Sequence, residues 1–257
     1  MPTEMRRAWA VVALLLACFP LEARLRAHSH RRSSGLSLRR RLFTSPLITD
    51  PGGVDLEFSG AFDTNSSWLL PTALKYTPTG WRTELSAGVD TLAHVLEDSG
   101  DAGTHFSDHV NLAATTAFRA GEHFSWAFAP AISVFLRNES GCRIGGSLLS
   151  RYDRGGNTFS ASAAWSGATR VSPTNPAGIF DLTGGYGHKF GQFTPYGTVQ
   201  LERATGLAGG YSIFEGIEYE VNNRLSLDIS GQHYGLNSPV ADHQIVAGLT
   251  WNLHRRR

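Results

Sequence analysis

Acidic and histidine side chains concentrate in one stretch of the chain, which contains Asp98, Asp101, His105, Asp108 and His109. Carboxylates and imidazoles are the usual side chains for activating water or binding a metal ion, so catalysis would be expected here first. The spacing of His105 and His109 brings two imidazoles to one face only on a helix. Turn-forming residues surround the pair instead. We therefore predict a solvated loop, with no metal site and no catalytic residue.

A second candidate is His233, which precedes Tyr234 and Gly235, with Ser238 further on. A histidine that acts as a general base needs a nucleophile within reach. This stretch is similar to the lipid A deacylase barrels, which place His and Ser one residue apart, but here no serine occupies that position. The stretch from Asp98 to His109 contains the Asp and His residue types that omptin-like surface proteases use. A barrel enzyme of either kind remains an alternative function.

Period-2 alternation dominates the chain from Val54 onward, and helical periodicity is almost absent. The segment Trp81–Asp90, which reads WRTELSAGVD, places Trp, Thr, Leu, Ala and Val on one face and mostly charged or small residues on the other. The pattern predicts twelve strands. They begin near Val54, Trp68, Trp81, Asp108, His123, Arg143, Thr158, Ile179, Phe193, Gly210, Arg224 and His243.

The connections between these strands alternate between tight turns and longer loops. Residues 78–80 and 191–192 are tight, whereas 91–107, 169–178 and 234–242 are long. This alternation is typical of an outer-membrane barrel, which has short periplasmic turns and longer extracellular loops. The sequence therefore predicts an all-β fold, a closed antiparallel transmembrane β-barrel of about 12 strands.

A soluble secreted β-sandwich that binds a ligand is the alternative fold. Sandwich strands usually have about 5–6 residues, whereas a spanning strand needs about 9–11, and most of these segments are that long. A sheet in lipid must close on itself to pair every backbone group. One residue breaks the pattern: Glu215 lies on an apolar face, so we expect either a bulge there or a position near a strand end.

The charged residues of the opposite faces point into the lumen of such a barrel. The candidates for contact with a solute are Arg82, Glu84, His109, Arg119, Arg137, Arg143 and Arg151. Arginines on neighbouring strands could form a wall that attracts anions. Paired charges and small residues also simply fill a barrel interior, so both interpretations are open.

The N-terminus is predicted to direct export. Arg6 and Arg7 precede a short apolar run, AWAVVALLLACF, as in a secretory signal peptide. We assign residues 1–27 to the signal peptide, 28–50 to a disordered basic linker and 51–257 to the barrel. Cys18 ends a lipobox-like stretch, so lipidation there is an open alternative. The formal net charge of +1 hides basic ends on an acidic body, and the targeting peptide explains part of the basic N-terminus.

Residues 45–58, SPLITDPGGVDLEF, and the ending ADHQIVAGLTW from Ala241 to Trp251 resemble a family of bacterial outer-membrane transporters associated with the meta-pathway of phenol degradation. The resemblance implies a porin-like passive transporter or channel for small, hydrophobic or aromatic solutes, with no catalytic residue and no cofactor. The partners expected are outer-membrane lipid, small-molecule solutes and the barrel-assembly machinery during export, and no nucleic acid. The location expected is the outer membrane of a Gram-negative bacterium.

Overall fold

The computed structural model describes residues 47–63, 68–96, 102–105, 109–136, 141–171, 176–206, 209–235 and 243–253. The predicted signal peptide with Cys18 lies outside these ranges, as does the linker up to residue 46. Asp98, Asp101, Asp108 and Ser238 from the enzyme alternatives are also outside them.

Thirteen strands account for most of the described residues, and every pairing between them is antiparallel. They are β1 (Val54–Asp63), β2 (Trp68–Tyr76), β3 (Thr83–Leu96), β4 (Ala102–His105), β5 (His109–Arg119), β6 (Phe124–Phe135), β7 (Cys142–Arg154), β8 (Asn157–Ala168), β9 (Gly178–His188), β10 (Phe193–Ala204), β11 (Gly210–Asn222), β12 (Leu225–Tyr234) and β13 (His243–Asn252). Because β1 pairs with β13 and β2 with β3, the sheet closes. The short β4 extends the end of β3, and the other twelve strands form the barrel wall, which confirms the predicted fold and contradicts the sandwich.

The connections divide the barrel into two ends, as predicted. At the turn end, β7 and β8 are joined by Gly155 and Gly156, whose φ angles of 58° and 80° favour glycine. The start of β1 and the end of β13 lie at the same end, because strand directions alternate around the closed sheet. The opposite end, which we call the loop end, carries the longer connections.

The two faces of the wall differ in chemistry. Large apolar side chains are exposed on the outer face, among them Phe58, Phe62, Leu74, Phe128, Ile144, Leu148, Trp165, Phe180, Ile217, Ile229 and Ile245. Aromatic rings pair along the outer face near the turn end, such as Phe118 with Trp126 at a centroid distance of 4.3 Å. Small and polar side chains are buried on the lumen face. The described ranges contain no helix that is long and apolar enough to cross a membrane.

Glu215 lies on the outer face, in the interior of β11. Its cross-strand partners are Gly197 and Gly231, and the register is unbroken on both sides. The expected bulge or strand end is therefore wrong. The side chain is 74% exposed and lies 3.5 Å from Nε2 of His233, which is also on the outer face. The two glycines leave open space around the carboxylate instead of apolar side chains.

Candidate functional site in the barrel lumen

The lumen face carries most of the charge of the strands. Its acidic positions are Asp55, Glu57, Glu84, Asp153, Asp181, Glu202, Glu218 and Asp228, and its basic positions within the wall are Lys75, Arg143 and Arg151. Two pairs of carboxylates are direct cross-strand partners: Asp181 with Glu202, and Glu218 with Asp228. Like charges at such positions oppose each other, so the wall formed by β9 to β12 has a strongly negative character.

The segment before β1 enters the lumen. Leu47 is 5% exposed and packs in a cluster with Ala127, Ala129 and Leu149 from β6 and β7. Tyr196, from the opposite part of the wall, packs against the same cluster. Small side chains on β6 leave room for the leucine. The segment therefore crosses the lumen interior and occupies part of its cross-section.

Thr49 fastens this segment to two strands. Its backbone N–H donates to Oε2 of Glu84 at 2.8 Å, and its hydroxyl lies 2.7 Å from the same oxygen and 2.7 Å from Oδ2 of Asp55. The Asn252 amide donates to the other oxygen of Asp55 at 2.7 Å. Hydrogen bonds to ionised carboxylates are stronger than those between neutral groups. These contacts lie at the turn end and fix the inserted segment against β1, β3 and β13.

A turn carries the chain from this segment into β1. The N–H of Gly53 donates to the carbonyl of Asp50 at 2.7 Å, and the N–H of Gly52 donates to the carbonyl of Thr77 at 2.6 Å. A Cβ at Gly53 would lie 2.7 Å from that Asp50 carbonyl oxygen, so the turn requires glycine here. Because Thr77 belongs to the β2–β3 connection, the turn is held to the barrel itself.

A buried ion pair lies beside the inserted segment. The Lys75 ammonium donates to a carboxylate oxygen of Glu57, and both side chains are almost fully buried on the lumen face of β2 and β1. An isolated charge would be costly at such a position, and pairing offsets much of the desolvation. The pair neutralises part of the acidic turn end.

A ladder of polar side chains lines the lumen across β9 to β12. The Gln200 amide donates to Oδ1 of Asp181 at 2.8 Å, and Ser212 and Gln232 extend the chain of hydrogen bonds at 3.4 Å each. Gln232 is 1% exposed, and its Oε1 accepts no hydrogen bond from the described protein groups. Gln200, Ser212 and Gln232 are 4%, 2% and 1% exposed, so these groups bind mainly to one another, and Asp181 is the partly exposed end of the row.

Three of the predicted solute-contact residues, Glu84, Arg143 and Arg151, lie on the lumen face of the wall. Glu84 is 1% exposed and binds Thr49. Near the loop end, Arg143 donates to Oγ of Ser166 at 3.1 Å and to the carbonyl of Pro176 at 2.6 Å. Arg151 lies toward the turn end and pairs with Asp153 at 2.7 Å. Each of these three side chains is bound by other groups of the protein, which is also what a residue that only fills and braces the barrel interior would show.

Three further candidates, Arg82, Arg119 and His109, occupy the rims. Arg82 is exposed and precedes β3, and Arg119 folds over its own turn to donate to the carbonyls of Gly121 and Glu122. His109 is half-buried at the loop end of β5, with its ring 6.2 Å from that of Phe135. Arg137 lies outside the described residues. Arg143 and Arg151 lie toward opposite ends of β7, so these two arginines are apart from each other.

Two features of the lumen were missed in the sequence. The first is the insertion of Leu47 and Thr49, which lie in or next to the apolar Leu47-Ile48 step just before the first strand. The second is the position of Tyr196. The ring of Tyr196 lies inside the barrel, over Gly216. A Cβ at Gly216 would lie 2.7 Å from the Tyr196 hydroxyl oxygen. The same hydroxyl lies 3.5 Å from Oδ2 of Asp228.

Comparisons with known proteins identify the fold. No family profile matches this chain, and no curated protein matches it. Among solved structures, the NanC porin aligns with a TM-score of 0.60 and 10% identity over 77% of this chain and 100% of its own. The KdgM porin aligns with a TM-score of 0.57 and 10% identity over 78% of this chain and 99% of its own. The structure of the KdgM porin in complex with disordered oligogalacturonate aligns with a TM-score of 0.56 and 9% identity over the same shares of the two chains. The chain has the fold of these porins.

Proposed function

We propose that this chain is an outer-membrane channel that passes small polar solutes by passive diffusion. One observation carries the proposal: the closed barrel is apolar on its outside and polar within. Exposed large apolar side chains cover the outer face, while Glu84, Gln200 and Gln232 are buried on the lumen face. A protein in water would have the opposite arrangement, and a barrel in lipid requires this one.

The lumen chemistry supports hydrophilic solutes over hydrophobic ones. The side chains that fill this part of the lumen are amide, hydroxyl and carboxylate groups, and Asp181 at one end of the row is partly exposed. A barrel of this fold accommodates oligogalacturonate in the KdgM complex. Because carboxylates outnumber bases on the lumen wall, we propose that cations pass more readily than anions. Arg82, His109 and Arg119 would then act at the rims, and an aromatic or phenolic substrate has less support.

An enzymatic function has weaker support in the described residues. His233 lies on the outer face, and its ring nitrogens contact His243 and Glu215. No serine, threonine or cysteine side chain among the described residues reaches them. We propose instead that lipid surrounds the barrel, that residues 1–27 direct export, and that the barrel-assembly machinery inserts the chain.

Planar bilayers and liposomes test the proposal directly. The folded barrel, with residues 28–257, should give discrete conductance steps and a reversal potential in a KCl gradient that favours K⁺. Liposomes should swell with small uncharged sugars, and the swelling rate should fall as sugar size increases. Asp181→Asn with Glu202→Gln should reduce the preference for cations, whereas Glu215→Gln on the outer face should leave it unchanged. A folded barrel that never conducts, or swelling that is independent of solute size, would exclude a diffusion channel.

A further inference from the structure

A histidine pair lies on the outer face, away from the lumen. His233 on β12 and His243 on β13 are direct cross-strand partners, so both imidazoles project from the same side of the sheet. His243 is the first residue of β13 and His233 precedes the last residue of β12. The pair therefore lies at the loop end, where water reaches the barrel rim, and the proposed channel makes no use of it.

The two rings are arranged to bind a common atom. Their Nδ1 atoms are 2.7 Å apart, and the ring planes meet at 74° with centroids 5.0 Å apart. Zinc binds histidine nitrogen at about 2.0–2.1 Å in tetrahedral geometry, which separates two such nitrogens by about 3.3 Å. A small rotation of either imidazole opens the present distance to that value.

Glu215 lies next to the ring of His233. Its Oε1 is 3.5 Å from Nε2 of His233, on the side opposite the histidine pair. Gly231 is the cross-strand partner of Glu215, and even a Cβ there would be in ordinary van der Waals contact with the same Nε2, at 3.6 Å. Metal-binding histidines usually donate their second N–H to a carboxylate, which fixes the ring and raises its basicity.

The carboxylate also sets the tautomer. With a proton on Nε2 facing Glu215, the Nδ1 of His233 has a free lone pair, and His243 donates its Nδ1 proton to it. Binding of a metal requires only that His243 hold its proton on Nε2 instead, so both ligands stay neutral. A carboxylate on a lipid-facing surface is costly, and this role accounts for Glu215 on an otherwise apolar face.

We propose that His233 and His243 chelate one divalent transition-metal ion of the Zn²⁺ type through their Nδ1 atoms, with Glu215 as the positioning residue. Among the described residues no group of three metal-binding side chains converges, so within these residues the two imidazoles are the ligands, and water can complete the coordination. Imidazole favours Zn²⁺, Cu²⁺ and Ni²⁺ over Mg²⁺ and Ca²⁺. The ion would join β12 to β13 at the loop end of the two strands.

Metal titration of the folded barrel tests this site. Residues 28–257, without an affinity tag, are folded in neutral detergent and titrated with Zn²⁺ by calorimetry. Cu²⁺ then serves as a probe, because its electron paramagnetic resonance spectrum reports the number of bound imidazole nitrogens. Zn²⁺, and not Mg²⁺, should raise the temperature at which the heat-modifiable gel band converts to the unfolded form, since a ligand of the folded state stabilises it.

Variants distinguish this site from other histidines. His233→Ala and His243→Ala should each abolish the Zn²⁺-dependent shift and the two-nitrogen Cu²⁺ signal. His28→Ala with His30→Ala, and His188→Ala, should retain both. Glu215→Gln should keep the two-nitrogen signal but weaken Zn²⁺ binding tenfold to a hundredfold. The site is refuted if the wild-type barrel shows no Zn²⁺-dependent shift, or if the His233→Ala, His243→Ala double variant binds Zn²⁺ as wild type does. Equal affinity in Glu215→Gln would remove Glu215 from the site.

Discussion

Oε2 of Glu84 accepts hydrogen bonds from both the backbone N–H and the hydroxyl of Thr49, at 2.8 and 2.7 Å. The two residues belong to different parts of the chain, since Glu84 is in the barrel wall and Thr49 precedes the first strand. Their contact brings the segment 47–50 inside the barrel at its turn end. Part of the cross-section of the barrel is therefore filled by residues that precede its first strand.

Thr49→Val should increase the single-channel conductance. Valine has nearly the same shape, keeps the backbone N–H bond to Glu84, and removes the hydroxyl that lies 2.7 Å from both Glu84 and Asp55. A loosened segment occupies the lumen for less of the time, so the current should rise and fluctuate more. Planar-bilayer recordings measure both. Thr205→Val, an exposed change at the loop end, should leave the conductance as in wild type; a rise there too would show that the effect is not local.

Leu47→Ala should also widen the pore, through packing instead of hydrogen bonding. It removes the side chain that fills the space beside Ala127, Ala129 and Leu149, at a cost of about 2 kcal/mol. Ala127→Leu should expel Leu47 by overpacking the same space. In a double-mutant cycle the two changes should be strongly non-additive in conductance. Leu136→Ala, at an exposed leucine, is the control, and additive effects would show that Leu47 and Ala127 do not share a site.

The barrel wall could be predicted from the sequence because its pattern is local. Alternation of apolar and polar residues, such as Leu85 and Glu84, indicates the face of the sheet on which each side chain lies. The strands predicted to begin at Val54, Trp68 and Phe193 begin at those residues in the structure. The inserted segment could not be predicted in this way. Four residues carry no periodicity, and their position depends on contacts with strands far along the chain.

The partners of the side chains inside the lumen could not be predicted from the sequence either. Arg119 and Arg151 have similar positions in the alternation, yet one folds over its turn and the other pairs with Asp153. Tyr196 alternates correctly with its neighbours, but aromatic residues are expected on the outside, and only the register with Gly216 reveals the space that its ring fills. Strand registers and turn geometry settle these details.

Lys75→Met should destabilise the barrel by about 3–5 kcal/mol, because it leaves the buried Glu57 carboxylate without its ammonium partner. Adding Glu57→Leu should recover most of this loss, since an apolar pair of similar volume needs no compensation. Urea titration of the barrel in detergent, followed by tryptophan fluorescence, measures the change. Lys189→Met, at an exposed pair with Glu220, should change stability by less than about 1 kcal/mol. If Lys75→Met is as mild as Lys189→Met, the ion pair is not buried.

Gly145→Ala should prevent correct pairing of β7 with β8. An added Cβ would lie 2.1 Å from the carbonyl oxygen of Trp165 and 2.7 Å from Cα of Ser166, and both are backbone atoms that cannot move without shifting the strand. Gly184→Ala is the matched control, because it also lies in a barrel strand but has open space within 4 Å of the new methyl group. That change should be neutral or stabilise the barrel by about 0.5–1 kcal/mol, since alanine loses less backbone freedom on folding. Heat-modifiable migration after refolding measures the folded fraction. We expect little folded band for Gly145→Ala and a full band for Gly184→Ala, and a fully folded Gly145→Ala would show that β7 and β8 pair in a different register.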